Sequence, residues 1–393
     1  MLDCDQHLYE YRGMWRDHID PDARDLALEL VDDDLGHTWL TWCGRRLGPA
    51  DVQLPGETDA VGERRRRERA GEPPIARYDD ALPRAYWEPS ARLAVLDAMG
   101  VDGAMLFPNH GLLWEREVGE ASRPALRANL TAWNRWCATV RADGRGLLHP
   151  VGHLALDDLG WLRRELAALE RADVRTAMIA PALVDGKRLS HPDLDGVWRA
   201  FVDHGISPVF HVADQPRIFA EGWYATDTGD SRGAADAGRD FGPPVLESVF
   251  LHTAAAVACT DLIIHGVLDR HPDLRLGVVE LSAVWVPMYL MMLDGGAAFV
   301  RRLNGRAPYD LPLPPSEYFI RQVRVSSFAY ELPANLARQL RGADLLMACS
   351  DYPHSEGTAT PLADYARGAT FGTTPADAPG LFGGNAEFLL RAG

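Results

Sequence analysis

Eight short apolar runs punctuate this chain, and amphipathic stretches separate one from the next. No other feature constrains the fold as strongly, because strand and helix in regular alternation build a parallel sheet covered by helices. The runs read as strands at 2–7, 102–107, 146–151, 175–180, 207–212, 275–280, 322–326 and 344–350. Apolar spacing near 3.6 predicts helices at 90–99, 127–142, 159–171 and 194–204, and a long one from about 245 to 269. Gly100 and Gly205 stand where two of these helices should stop. Eight alternations favour a closed (β/α)8 TIM-like barrel of the α/β class over an open sheet. Such a barrel places its active site at the C-terminal ends of its strands.

A barrel of this kind needs about 250 residues, and the chain has 393. The excess falls in three stretches, 11–86, 213–244 and 301–320. They are expected as cap insertions over the active-site face of a single domain spanning 1–393. The stretch 213–244 is rich in Gly, Ala and Asp, which suits either a mobile lid or a disordered surface loop.

The formal net charge of -16 argues against nucleic acid and anionic membranes as partners. The beginning, MLDCDQHLYE, carries acids where a secretory leader needs a basic and an apolar segment. The apolar stretch around 284–293 is too short to span a bilayer. Five cysteines, odd in number and without a CxxC, suit a reducing cytoplasm better than a disulfide framework. The expectation is a cytoplasmic protein acting on a small molecule. The run of arginines from Arg64 to Arg67, with Arg69, is flanked by acids and reads as a solvated helix face or a subunit contact.

Ionisable residues fall at the ends of four of the expected strands. Side chains alternate along a strand, so Asp3, Asp5 and His7 should share a face, with Asp5 and His7 able to chelate one cation. His211 closes the apolar run beginning at Pro208; alone, it reads more readily as a core histidine than as a ligand. Glu280 closes the run Leu276–Val279 and needs a partner if buried ionised. A helix cap would satisfy it, and so would a metal. Asp351 follows Leu345–Ser350, as an Asx-turn residue or as a ligand that also moves protons. Taken together, these strand-end residues form a mixed nitrogen and oxygen donor set suited to Zn2+, Mn2+ or Fe2+.

Several segments carry a family resemblance in their order. They include DCDQHLYE at 3–10, WEPSARLAVLDAMGVDGAMLFP at 87–108, HPVGHLAL at 149–156 and HPDLDGVWRAFVDHGISPVFHV at 191–212. Further on come IIHGVLDRHPDLRLGVVELSAVWVPMYLMMLD at 263–294, CSDYPHSEG at 349–357 and GGNAEFLL at 383–390. The chain resembles the amidohydrolase superfamily, in the branch of aminocarboxymuconate-semialdehyde decarboxylase and related nonoxidative decarboxylases. The resemblance implies Asp5, His7, His211 and Asp351 as metal ligands, with Asp351, Glu280 and His211 as catalytic residues. Two positions depart from the family pattern: Asp5-x-His7 replaces His-x-His, and Glu280 stands where a sixth-strand His is usual. The added carboxylate makes the site harder and shifts the expectation from Zn2+ towards Mn2+.

Two chemistries remain open. One is nonoxidative decarboxylation of a small, aromatic or unsaturated carboxylic acid with Asp351 as proton donor. The other is hydrolysis of an amide, ester, lactone or activated carbon–carbon bond by metal-activated water, with Asp351 or Glu280 handling the proton. A third reading is a metal-free barrel that binds a ligand. Arg12 and Arg217 are candidates to meet a substrate carboxylate. Relatives are often dimers, so a homodimer is an expectation carried by resemblance alone.

Overall fold

Twelve strands run along the described residues: β1 (Leu2–Leu8), β2 (Leu28–Asp32), β3 (Thr38–Trp42), β4 (Arg45–Pro49), β5 (Gly103–Pro108), β6 (Leu148–Pro150), β7 (Gly152–His153), β8 (Thr176–Met178), β9 (Ser207–His211), β10 (Leu276–Val279), β11 (Val323–Ser327) and β12 (Leu346–Ala348). The computed structural model describes residues 1–112, 114–212, 218–220, 223, 248–306, 310–340, 342–368 and 375–391.

Two parallel sheets make one barrel. The first has the order β1-β5-β6 and the second the order β12-β11-β10-β9-β8-β7. β6 and β7 are one strand interrupted at Val151, with the first half on β5 and the second on β8. The other seam joins the two ends of the chain. Gln6 bridges Tyr352 in parallel, His7 N donates to the Tyr352 carbonyl at 2.8 Å, and Asp351 N donates to the Asp5 carbonyl at 2.9 Å. The ring is thereby closed, as expected of a (β/α)8 barrel.

Side chains fill its interior. Cys4, Met105, Phe107, Val151, Met178, Val209, Val279, Met347 and Cys349 form one buried cluster, joined by Ala386 and Leu389 from the helix Asn385–Leu390. That helix is anchored by Ser207 Oγ donating to the Leu389 carbonyl at 2.7 Å. Outside the ring, helices bury their apolar faces in a second, larger core that includes Leu130, Trp133, Leu162, Leu166, Val197 and Phe201.

The helices begin and end where local chemistry requires. Asp158 caps the helix Leu159–Arg171 by accepting from Trp161 N at 2.9 Å. Gly100 ends the helix Pro89–Met99 at φ +69°, a conformation that suits glycine. The long helix expected over 245–269 is divided instead: Thr253–Ile264 and Val267–Arg270 are separated by Gly266 at φ +73°.

The stretch 11–86 is more ordered than a plain insertion. It carries the antiparallel sheet β2-β3-β4 and the helix Ala60–Ala70. The arginine run lies on that helix; Arg66 and Arg67 pair with Glu63, while Arg64 is buried against Asp51. Within 301–320, residues 301–304 finish the helix Val286–Asn304, and 315–320 belong to the helix Pro315–Gln322 that runs into β11. Nearly all of 213–244 lies outside the described residues. Among the described residues, no helix is long and apolar enough to cross a membrane.

Candidate metal centre

The first strand departs from strict alternation. Its register against β5 shifts between Asp3 and Gln6, a bulge. Cys4 therefore joins the barrel interior, and Asp5 and His7 still reach the centre. Asp3 does not join them, contrary to the alternation argument. Its carboxylate accepts from Ser350 N at 3.0 Å, Asp5 N at 3.2 Å and Gln6 Nε2 at 2.9 Å. Burial pushes its pKa up to about 7, against the lowering effect of those bonds. Gln6 in turn accepts from Arg92 Nη1 at 3.0 Å, and Arg92 Nη2 donates to the His7 carbonyl at 2.6 Å. A fully buried guanidinium thus pins the strand end that bears the cluster.

Asp5, His7, His211, Glu280 and Asp351 converge at the C-terminal ends of β1, β9, β10 and β12. Asp5, His7, His211 and Glu280 each offer a ligand atom within 4.8 Å of the others, and His7, Glu280, Asp351 and His354 form a second, overlapping set. Asp5 Oδ1 lies 3.5 Å from His7 Nε2 and 3.4 Å from His211 Nε2. Glu280 Oε2 lies 3.0 Å from His211 Nε2, and Asp351 Oδ1 lies 3.4 Å from His7 Nε2.

Both histidines are oriented by the backbone. His7 Nδ1 donates to the Pro108 carbonyl at 2.9 Å and His211 Nδ1 to the Val212 carbonyl at 2.7 Å. Each therefore turns Nε2 towards the carboxylates, the arrangement a metal-ligating imidazole needs. Phe107 stacks on His211, centroids 4.2 Å apart. Four buried atoms in the cluster have no hydrogen-bond partner: Asp5 Oδ2, His7 Nε2, Glu280 Oε2 and Asp351 Oδ2. Orphaned polar atoms at this burial are costly unless something charged meets them. A divalent cation fits this donor set.

The electrostatics follow from crowding three carboxylates in a buried place. Burial, with the facing Asp351 and Asp5 charges, pushes Glu280 well above the usual glutamate range. Burial alone would raise Asp351, but His354, by charge and hydrogen bond, and His7 hold it below the usual range. Burial would lower His7, yet the facing Asp351 and Asp5 carboxylates outweigh it and raise the ring to about 10. Desolvation wins at His211, which is lowered.

The backbone is strained at two of these positions. Glu280 sits at φ +56° and Asp351 at φ +55°, a region that costs a non-glycine residue about 1 kcal/mol or more. Glu280 N is held by donating to Ser326 Oγ at 2.8 Å. Gly357 lies so close behind Asp351 that a Cβ there would strike the Asp351 carbonyl and come within 2.9 Å of the Ser350 carbonyl oxygen.

His354 has no counterpart in the sequence reading. Its Nδ1 donates to Asp351 Oδ1 at 2.7 Å and its Nε2 to Asn109 Oδ1 at 2.8 Å. Its ring lies 4.0 Å from that of His7. Asn109 is oriented in turn, with Nδ2 donating to His110 Nδ1 at 3.1 Å, and His110 Nε2 lies 3.0 Å from Tyr78 Oη. Glu10 clamps the same turn, its two oxygens accepting from His110 N and Gly111 N at 2.9 Å each. The spacing of Asp351 and His354, one turn apart, was the available signal. The expectation for Arg12 is corrected. Its fork is filled by Asp79 at 2.7 Å, Asp32 at 3.0 Å and the Leu30 carbonyl at 2.8 Å, which makes it a structural ion pair of the 11–86 segment. Arg217 lies outside the described residues.

No family model and no curated relative matches the chain. Solved structures do. An amidohydrolase from Mycobacterium avium subsp. paratuberculosis superposes with a TM-score of 0.74 at 22% identity, covering 99% of this chain and 98% of that one. A 5-carboxyvanillate decarboxylase from Novosphingobium aromaticivorans, with bound manganese and 3-methoxy-4-hydroxy-5-nitrobenzoic acid, gives 0.60 at 20% identity over 86% of this chain and 99% of its own. A 2,6-dihydroxybenzoate decarboxylase from Rhizobium gives 0.57 at 16% identity over 99% and 98%. The fold is therefore a closed (β/α)8 barrel shared with these structures. Its structural neighbours are an amidohydrolase and decarboxylases of aromatic acids.

Proposed function

We propose that this protein is a metal-dependent enzyme that decarboxylates a small aromatic or unsaturated carboxylic acid without an oxidant. The observation that carries this reading is the convergence of four buried, unpartnered ligand atoms, on Asp5, His7, Glu280 and Asp351, at the strand ends. Asp5, His7, His211 and Asp351 would hold the cation, with Glu280 beside them. Three carboxylates favour a hard ion, and the manganese in the 5-carboxyvanillate decarboxylase supports Mn2+ over Zn2+. When bound, the cation supplies Lewis acidity that draws charge from the substrate's carboxylate and a neighbouring oxygen.

The chain's own residues handle the proton. Asp351 and His354 share one across 2.7 Å, with His354 as the reservoir and Asp351 as the group that hands it on. The proton forms a C–H bond at the carbon bearing the carboxylate. The C–C bond then breaks, its electron pair restores the unsaturated system, and CO2 leaves. Asn109 and Glu10 keep His354 aligned. The 11–86 segment acts as a cap, supported by Ser355, which donates to Gln53 Oε1 from N at 3.0 Å and from Oγ at 2.8 Å. Five unpaired cysteines support a reducing, cytoplasmic setting.

Hydrolysis is the second reading, favoured by Glu280. A carboxyl held well above its usual range beside the cluster can take a proton and return it to a leaving group. Elemental mass spectrometry on untagged protein tests the metal, with about one equivalent of Mn or Zn expected. A panel of hydroxybenzoates assayed for CO2 separates the two reactions. Metal without CO2 release, alongside turnover of esters or lactones, would reverse the preference.

A further inference from the structure

β11 stands between β10 and β12 in the barrel. The turn that follows it therefore reaches the rim between Glu280, which follows β10, and Asp351, which follows β12. That turn is the short helical segment Ala329–Glu331, entered through Phe328. It carries two aromatic rings on the face where a barrel receives its substrate. Phe328 packs on the buried interior cluster that contains Val279, Met347 and Cys349. Tyr330 stacks on Phe328, with centroids 5.1 Å apart and ring planes 12° from parallel. Phe328 thus covers one face of the Tyr330 ring, while Tyr330 as a whole is 74% exposed. We infer that Tyr330, backed by Phe328, is a wall of the substrate site, and that its open face stacks on a ring carried by the acid. Resting on the decarboxylase reading, this makes Tyr330 the residue that tells a ring-bearing acid from an open-chain one.

The turn is braced from several directions. Glu331 folds back, and its Oε2 accepts from Phe328 N at 3.2 Å and from Ala283 N at 3.1 Å, which ties the turn to the segment following Glu280. Tyr365 fixes the strand end below it, with its hydroxyl donating to the Ser327 carbonyl and accepting from Cys349 N at 2.9 Å. Pro333 opens the next helix directly after the turn. A solitary exposed aromatic is ordinary on a protein surface. One held in place at strand ends that bear the candidate metal ligands suits a binding wall, because it has little freedom left to lose on contact.

The surroundings of the phenol agree with this placement. Burial, then the nearby Glu331, Cys349, Asp351 and Glu280, hold it above the usual tyrosine range. A group hemmed in by protein and yet open to solvent lies in a cleft, and Asp351 and Glu280 face the same cleft. Stacked aromatic rings attract beyond the area they bury, so a ring laid on Tyr330 gains a contact that an open chain of the same polar groups does not.

Calorimetric titration of the Mn2+-loaded full chain tests this without turnover. The probes are 2-hydroxybenzoate and 3-hydroxybutyrate, which share a carboxylate with a hydroxyl on the β carbon and differ in the ring. The wild type should bind 2-hydroxybenzoate the more tightly. Tyr330→Ala should raise the dissociation constant for 2-hydroxybenzoate about 10-fold, the scale of one lost aromatic contact, and leave that for 3-hydroxybutyrate unchanged. Tyr330→Phe keeps the ring and should bind both acids as the wild type does. The position is exposed, and circular dichroism with elemental mass spectrometry verifies that each variant is folded and carries the same metal. A dissociation constant for 2-hydroxybenzoate that is indifferent to Tyr330→Ala would overturn the inference. So would an equal loss for both acids, or a wild type with no preference for the ring. The decarboxylase reading fails by a different result, the absence of CO2 release from every hydroxybenzoate, and ring-dependent binding lost in Tyr330→Ala would keep Tyr330 in the site even then.

Discussion

Replacing Glu280 by Gln isolates the crowding of charge at the centre. Glu280 offers an oxygen within 4.8 Å of ligand atoms on both Asp5 and Asp351. At that separation and an effective dielectric of about 20, each like-charge pair costs about 3 kcal/mol, and His7 and His211 offset part of it. The folded chain limits this cost by keeping a proton on Glu280, whose pKa stands well above the ordinary 4.5 through burial, Asp351 and Asp5. A raised folded pKa means stability that is complete below about pH 4.5 and is lost as pH rises through the raised value. In chelator, the wild type should therefore lose stability from pH 5 to pH 8, and Glu280→Gln should lose less. By pH 8 the variant should be the more stable by about 3 kcal/mol. Mn2+ should narrow that difference. At 100 times its dissociation constant it adds about 2.7 kcal/mol to the wild type, and less to a variant lacking the carboxylate. The assay is urea unfolding followed by tryptophan fluorescence, at both pH values, with chelator and with Mn2+. A variant no more stable than the wild type in chelator at pH 8 would refute the account of three crowded carboxylates.

Asp351→Asn should nearly abolish turnover while leaving circular dichroism unchanged; full activity would remove Asp351 from the proton path. The double variant His7→Ala, His211→Ala should lose its metal, and unchanged stoichiometry by elemental mass spectrometry would refute the site. Gly357→Ala should push the Asp351 backbone out of place and weaken Mn2+ binding at least 10-fold, the scale on which supporting residues act, as read by competition with a fluorescent chelator. Ser326→Ala should leave Glu280 N without its acceptor and cost about 1–3 kcal/mol in denaturant unfolding.

The barrel was legible because its strands are short apolar runs bounded by turn residues, and this pattern depends on local sequence alone. Asp5, His7, His211, Glu280 and Asp351 were legible for the same reason, since each ends or follows such a run. What could not be read depends on contacts between distant segments. The bulge at Cys4 and Asp5 exists only relative to β5, so alternation wrongly added Asp3 to the face. His354 lies in a turn with no apolar run to mark it, and its role rests on Asn109, 245 residues away. Arg12 looked available because Asp32 and Asp79, which fill its fork, lie far along the chain. The sheet β2-β3-β4 was taken as part of an insertion because its five-residue strands carry no helix between them to signal alternation.

The seam between β1 and β12 has a consequence for how the protein is made. Asp5 and His7 leave the ribosome well before Asp351 and the helix Asn385–Leu390. Contacts so distant in sequence form late and slowly. Until β12 is made, the β1 edge that it covers stays unpaired, and Asp5 and His7 lack the wall that Asp351 supplies. Metal capture should therefore mark the end of folding, separating finished chains from unfinished ones before any substrate is met.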